Sequence, residues 1–334
     1  MQANPIARRF LRLAAHGLFL STLLAGASQA LAQSAYPSRP IRIIVPLTTG
    51  GSNDVLARII ADRLTPVLGQ PVVVENRPGA GGIVGTDYVA KQPGDGYTIL
   101  IATASHAYQQ HFVTKLPFDP VKDFEPIILA AVVPFVLTVN AELPVTNVRD
   151  FIALARTRQK GLTFGTAGVS SPHQLGTEWL KSMTGANFIH VPYKGAAGIV
   201  PALVANEIDF TVGAINSLLP HIRSGKLRAL AVASTKRTAF LPDVPTIAEA
   251  APAPGYGMDV WAGFLAPKGT PKDIIARLNV EISRILRDPQ IVAEKLAPLG
   301  IDIVTSTPER FAEVLKADLV LYEKVIKDAN IKAE

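Results

Sequence analysis

Short apolar runs alternate with helical periodicity along nearly the whole chain beyond residue 40, and this alternation restricts the fold more than any other feature. Strand-like runs fall at 41–46, 71–75, 97–102, 127–139, 162–166, 187–191, 208–213, 227–233 and 260–266. Between most of them, apolar residues recur every three or four positions, at 54–68, 81–91, 148–158, 172–183, 196–205 and 216–223. Strands separated by helices imply crossover connections, so the pattern predicts an α/β fold with mainly parallel sheets. Two further helices are expected near the C-terminus. Thr270 caps and Pro271 opens one with Ile274, Ile275, Leu278, Ile282, Ile285 and Leu286 on its apolar face. Thr307 caps and Pro308 opens the other, with Phe311, Leu315, Leu319, Tyr322 and Ile326 inward. Residues 242–259, rich in Pro, Ala and Gly, read as a surface loop or a crossing between domains.

Residues 1–32 read as a secretory signal. Arg8, Arg9 and Arg12 form a positive start, Gly17 to Ala27 is apolar, and Ala30-Leu31-Ala32 supplies the small residues of a cleavage site. The apolar stretch is short for the ~30 Å of hydrocarbon in a bilayer, so a membrane anchor is the weaker reading. The expected mature protein is periplasmic, without stable membrane insertion. With no Cys in the chain, disulfides, thiolate catalysis and Cys-ligated zinc are excluded. The formal charge is +6, and the three arginines of the leader supply half of it. The remaining excess is too mild for a nucleic-acid partner.

Four strand-to-helix turns share one character. The first is Pro46-Leu47-Thr48-Thr49-Gly50-Gly51-Ser52-Asn53-Asp54; the second is Gly79-Ala80-Gly81-Gly82. The third runs from Gly165 and Thr166 through Ser170 and Ser171 to His173, and the fourth from Val191 through Tyr193 and Lys194 to Gly198. A glycine-rich turn into a helix N-terminus presents unpaired N–H groups and the positive end of the helix dipole, which suits a carboxylate or phosphate. In open α/β sheets ligands bind beyond the carboxyl ends of strands. Residues 103–110, including Thr103, Ser105, His106, Tyr108 and Gln109, follow a strand and are expected to border such a cleft, as is Asn216. Each position also has a plainer role: Asp54 as a helix-start acid, Ser170 and Ser171 as caps before Pro172.

These turns carry hydroxyls and amides rather than catalytic groups. There is no G-x-S-x-G, H-E-x-x-H or Walker loop. The dinucleotide spacing is not met in Gly79–Gly85, and the histidines show no metal-ligand spacing. No cofactor, metal or catalytic residue is therefore expected.

At these segments the chain resembles the Bug (Bordetella uptake gene) solute-receptor family, the extracytoplasmic component of tripartite tricarboxylate transporters. The likeness runs through Tyr36-Pro37-Ser38-Arg39-Pro40, Pro46 to Arg58, Gly69 to Gly82, Asp95-Gly96-Tyr97-Thr98 and Leu116 to Phe124. It continues through Val191-Pro192-Tyr193-Lys194-Gly195, Pro220 to Leu230 and Leu241 to Thr246. It departs at Leu47, Thr48 and Thr49, where a Phe and prolines are common. The resemblance implies a type II-like, two-domain periplasmic binding protein, each domain a mainly parallel sheet flanked by helices, with the ligand cleft between them. It implies a monomer that closes on a small carboxylate and hands it to a membrane permease. Carried onto this sequence, it places Gly50, Gly51, Ser52 and Asp54, with Asn53 in the same turn, against Gly165, Thr166, Ser170 and His173, with Tyr193 and Lys194 nearby. The expected domains are 33–131 joined by 256–334, and 132–255. Two other readings stay open on the sequence: a sensory binding protein that presents the ligand to a membrane sensor, and a secreted serine hydrolase built on Ser170 and His173.

Overall fold

The computed structural model describes residues 36–168, 171–193 and 195–331, so the expected leader, Ser170 and Lys194 lie outside the described residues. The elements below all belong to one unit, Arg39–Glu334. Its strands are β1 (Ile41–Val45), β2 (Val72–Asn76), β3 (Thr98–Thr103), β4 (Phe124–Val133), β5 (Phe135–Asn140), β6 (Leu162–Thr166), β7 (Phe188–Pro192), β8 (Phe210–Ala214), β9 (Leu227–Val232), β10 (Val260–Pro267) and β11 (Asp302–Ile303). The principal helices are α1 (Ser52–Leu68), α2 (Ile83–Ala90), α3 (Val148–Thr157), α4 (Pro172–Thr184), α5 (Ile199–Val204), α6 (Ile215–Arg223), α7 (Lys272–Leu286) and α8 (Pro308–Asp328).

The strands form two sheets, ordered β11-β4-β10-β3-β1-β2 and β7-β6-β8-β5-β9. Both are mixed rather than mainly parallel. In the first, β1 pairs in parallel with β2 and β3, while β10 runs antiparallel to β3 and β4. In the second, β6 is parallel to β7 and β8, while β5 is antiparallel to β8 and β9. The reason lies in the run at 127–139, which is two strands. Pro134 separates β4 from β5 and has no N–H with which to extend either ladder, so the chain changes sheet there without a helix. It returns through 233–259, where Thr246 and Glu249 form a capping box on a single helical turn.

Each sheet is covered by helices on apolar faces. β10, buried along all eight residues, is the middle of the first sheet. At Gly263 a Cβ would stand 2.3 Å from the Phe311 ring, so the missing side chain is what lets α8 dock on β10. Ser171 and Thr307 cap α4 and α8 through the amides of Gln174 and Arg310, with proline next in each helix. Thr270 does not cap α7, contrary to its sequence reading. Its hydroxyl donates to the Pro267 carbonyl and α7 begins with no side-chain cap.

Two histidines are part of the core. His106 packs between Phe118 and Phe124 with its Nε2 2.9 Å from the Pro120 carbonyl; His173 meets the edge of Phe135. Burial pushes both down to about 4, against a small opposing effect of the Pro120 carbonyl at His106, so both are neutral near pH 7. His106 and Tyr108, expected at the cleft border, are instead rolled inward by the helical turn at Ala104–Ala107, Tyr108 lying against Phe112 and Tyr322.

Two outcomes follow from this packing. A Cβ on Gly85 of α2 would come within 2.7 Å of the Arg77 carbonyl and 2.8 Å of Pro46 Cα, both backbone. Gly85→Ala should therefore cost about 1–3 kcal/mol and lower the melting temperature by several degrees; an unchanged melting temperature refutes the close approach. The histidines set an acid response. Unfolded, they bind protons near pH 6.5; folded, only near 4, so the unfolded state binds more protons in between. Stability should fall as pH drops through that window, by up to about 3 kcal/mol per histidine. Urea midpoints at pH 7 and about 4.5 should differ less in His173→Gln than in the unaltered protein, and equal differences would contradict neutral burial.

Candidate functional site

Parallel pairing gathers turns. The carboxyl ends of β1, β2 and β3 share one edge of the first sheet, and those of β6, β7 and β8 share one edge of the second. The two edges meet. Asn216, in the first turn of α6, donates from Nδ2 to Ser52 Oγ in the first turn of α1 at 2.7 Å. Beside it, a Cβ on Gly300 would sit 2.8 Å from Ile215 Cγ2, so the first sheet's side also packs directly against the start of α6.

The β1–α1 turn is held by a buried carboxylate. Gly50 takes φ +88°, a conformation suited to glycine, and its N–H donates to Asp54 Oδ2 at 2.9 Å. Asp54, 2% exposed, also accepts from Arg58 Nε and Nη2 at 3.1 and 3.0 Å and from Asn76 Nδ2 at 2.9 Å. Asn76 donates as well to the Leu47 carbonyl at 3.2 Å and accepts from Arg58 at 2.9 Å. Burial pushes the Asp54 carboxyl up, but hydrogen bonds from Arg58, Gly50 and Asn76 together outweigh it and hold it below the usual carboxylate range. Both oxygens of Asp54 are thus spent on the protein itself. Gly51 stands at the helix start with no side-chain cap on α1, leaving first-turn amides for another acceptor. The Nδ2 of Asn53 is buried there with no partner.

The facing turn after β6 is similarly self-bound. Thr166 is fully buried, its Oγ1 2.6 Å from His190 Nε2 and 3.2 Å from the Gly168 amide. Ser171 donates to the Gly168 carbonyl at 2.7 Å. Gly165 and Gly198 lie under the Tyr193 ring, where a Cβ at either would approach it to 3.3 and 2.8 Å. Thr103 and Ser105 lie with Oγ atoms 2.6 Å apart, and Gln109 donates to the Gly81 carbonyl, in the wall of a cavity of about 10 Å³ beside Pro46 and Leu47. Sequence reasoning passed over Arg58 and Asn76. The i,i+4 spacing of Asp54 and Arg58 was a readable signal; the contact of Asn76 depends on the β1–β2 register that sets it opposite Val45.

The uncapped start of α1 gives the arrangement amides that can hold an anion. Among the described residues, His173 Nδ1 has no hydrogen-bond partner. No group of three or more metal-ligating side chains occurs among the described residues. A larger groove, about 750 Å³, lies elsewhere, between Trp261, Ser234 and α8. Asp259, Asp302 and Asp318 line it together with Lys236, Arg237 and Arg310, so its acids and bases balance.

The family described as "Tripartite tricarboxylate transporter family receptor", TctC, matches residues 56–331. Protein BugT of Bordetella pertussis is 36% identical over 322 residues, 96% of this chain and 98% of BugT. A UPF0065 protein in the tcbD-tcbE intergenic region of a Pseudomonas strain is 39% identical over 299 residues, 90% of this chain and 89% of its own. Among solved structures, Rhodopseudomonas palustris Rpa4515 with adipate superposes with a TM-score of 0.80 at 38% identity, over 89% of this chain and 99% of that one. MatC of the same organism, with bound malate, gives 0.77 at 30% identity, over 87% and 100%. The two mixed sheets are thus those of a periplasmic binding protein fold, and the chain belongs to the TctC family of tripartite tricarboxylate transporter receptors.

Proposed function

We propose that the protein is a monomeric periplasmic receptor that captures a small organic carboxylate between two lobes and delivers it to the membrane permease of a tripartite tricarboxylate transporter. The lobes of this reading are 33–131 with 256–334, and 132–255, after loss of a leader at 1–32. No described helix is long and apolar enough to cross a membrane. The observation that carries the reading is the uncapped start of α1, with its glycine turn bound to Asn216 of the facing edge. The adipate and malate held by two family members support the ligand class. One carboxylate oxygen pair would take the first-turn amides of α1, with Ser52, Asn53 and Asn216 beside it. Gly165, Thr166 and Tyr193 would shape the opposite wall, with Ser170 and Lys194 in the same segments. Asp54 would act through the turn rather than by touching the ligand.

The test is a thermal-shift panel of aliphatic mono-, di- and tricarboxylates, aromatic carboxylates, amino acids and sugars on refolded, ligand-free protein. A carboxylate at ~100 times its Kd should stabilise the fold by about 2.7 kcal/mol. Hits confined to sugars, or none, would defeat the reading. Gly51→Val is the matching variant. Gly51 has φ −72°, and a Cβ there meets only the Thr48 carbonyl, at 3.8 Å, so the fold should tolerate the side chain. Binding should be lost with the melting temperature nearly unchanged, and retained binding would remove this turn from the site.

A further inference from the structure

We infer that Arg58 is the charge-compensating residue of the anion site, cancelling the Asp54 carboxylate that fixes the turn; the inference rests on the carboxylate reading above. Asp54 is the one acidic side chain in the gathered turns 46–54, 79–82, 103–105, 165–168 and 214–216. Arg77, just after β2, and Lys194, in the turn 191–198, are basic residues outside these stretches, and among the described hydrogen bonds Arg77 is not a donor to Asp54. Asp54 binds the Gly50 amide at 2.9 Å, so its charge sits within a few ångströms of the amides offered to a ligand. Alone, a buried carboxylate there would repel an anion through a poorly screened path.

Arg58 removes that penalty. Its guanidinium grips both oxygens of Asp54, while its side chain remains 46% exposed and reaches Asn76. The pair is neutral as a unit, and the partial positive charge of the α1 start is then unopposed. Arg58 lies one helical turn beyond Asp54, its Nε sharing Oδ2 with the Gly50 amide and its Nη2 taking Oδ1, so its charge is committed to the carboxylate that fixes the turn. Asp62 is the further acid that bears on Arg58, along the same helix and away from the turn. Arg58 is therefore a positioning and compensating residue rather than a ligand contact.

Calorimetry with succinate, malate and adipate on the full mature chain tests this. In Arg58→Gln the affinity should fall at least about tenfold at ~20 mM salt and recover in part at ~0.5 M, because salt screens the repulsion. Arg58→Lys, which keeps the charge but not the two-pronged grip, should stay within about threefold of the unaltered protein. The double variant Asp54→Asn/Arg58→Gln should regain most of the lost affinity. A loss in Arg58→Gln that ignores salt, or that the double variant does not relieve, assigns Arg58 a purely structural role and overturns the inference while the receptor reading stands. Should Arg58→Gln not fold, a large loss in a folded Arg58→Lys overturns it equally. Absence of binding by the unaltered protein to all three acids, with no hit in the wider panel, overturns both.

Discussion

A buried negative charge organises the start of this molecule's first helix. Removing a carboxylate from water is costly unless every lone pair finds a donor, and Asp54 finds four: a glycine amide, two guanidinium N–H groups and an asparagine amide. The donors come from three stretches of chain, so the charge ties the β1–α1 turn, the body of α1 and the end of β2 into one arrangement. Asp54 lies in the first turn but spends itself on Gly50 rather than on capping α1. The helix start is left uncapped because the acid that would ordinarily serve it is turned back into the loop.

The larger architecture serves the same turns. Pro134 lets the chain leave one sheet and enter another with no helix between, and 233–259 brings it back. Each sheet keeps a parallel trio, β2-β1-β3 and β7-β6-β8, whose carboxyl ends collect short turns of small residues. The antiparallel strands β10 and β5 anchor these trios from the core. Around the turns the polar groups are hydroxyls and amides, with the paired Asp54 and Arg58 at the first of them.

Local chemistry was legible in the sequence, and long-range chemistry was not. The Ser171 and Thr307 caps depend on residues within four positions, and proline fixes their phase. Thr270 has the same spelling, yet its hydroxyl finds the Pro267 carbonyl, because the chain leaving β10 bends back on itself. The alternation at 41–102 translated into parallel β1, β2 and β3, whereas the continuous apolar run at 127–139 hid the change of sheet at Pro134. Thr166 was readable as a polar residue at a strand end, but its burial against His190 depends on β6 pairing with β7 in register. His106 and Tyr108 looked like cleft residues by position, and only the helical turn at Ala104–Ala107 shows them facing aromatic neighbours. Arg58 was within reach of a spacing rule; Asn76 was not, since nothing in Glu75-Asn76-Arg77-Pro78 announces that β2 ends beside Leu47.

The contact between Ser52 and Asn216 explains why an anion suits the meeting of the two edges. α1 and α6 both begin without a side-chain cap, and one hydrogen bond joins their first turns. On α6 the Ile215 and Ser217 amides are already paired, with the Pro134 carbonyl and Asn216 Oδ1. Two helix starts brought this close present like partial charges to each other, each about half an elementary charge at most. A single neutral hydrogen bond offsets little of that. An anion between them would be attracted by both ends while taking the first-turn amides of α1, so its affinity for the joined arrangement must exceed its affinity for either edge alone. A ligand shifts a conformational equilibrium only by that difference. On the proposed reading, closure therefore requires no dedicated switch: it follows from placing two uncapped helix starts on opposite lobes and leaving the balancing negative charge to the cargo.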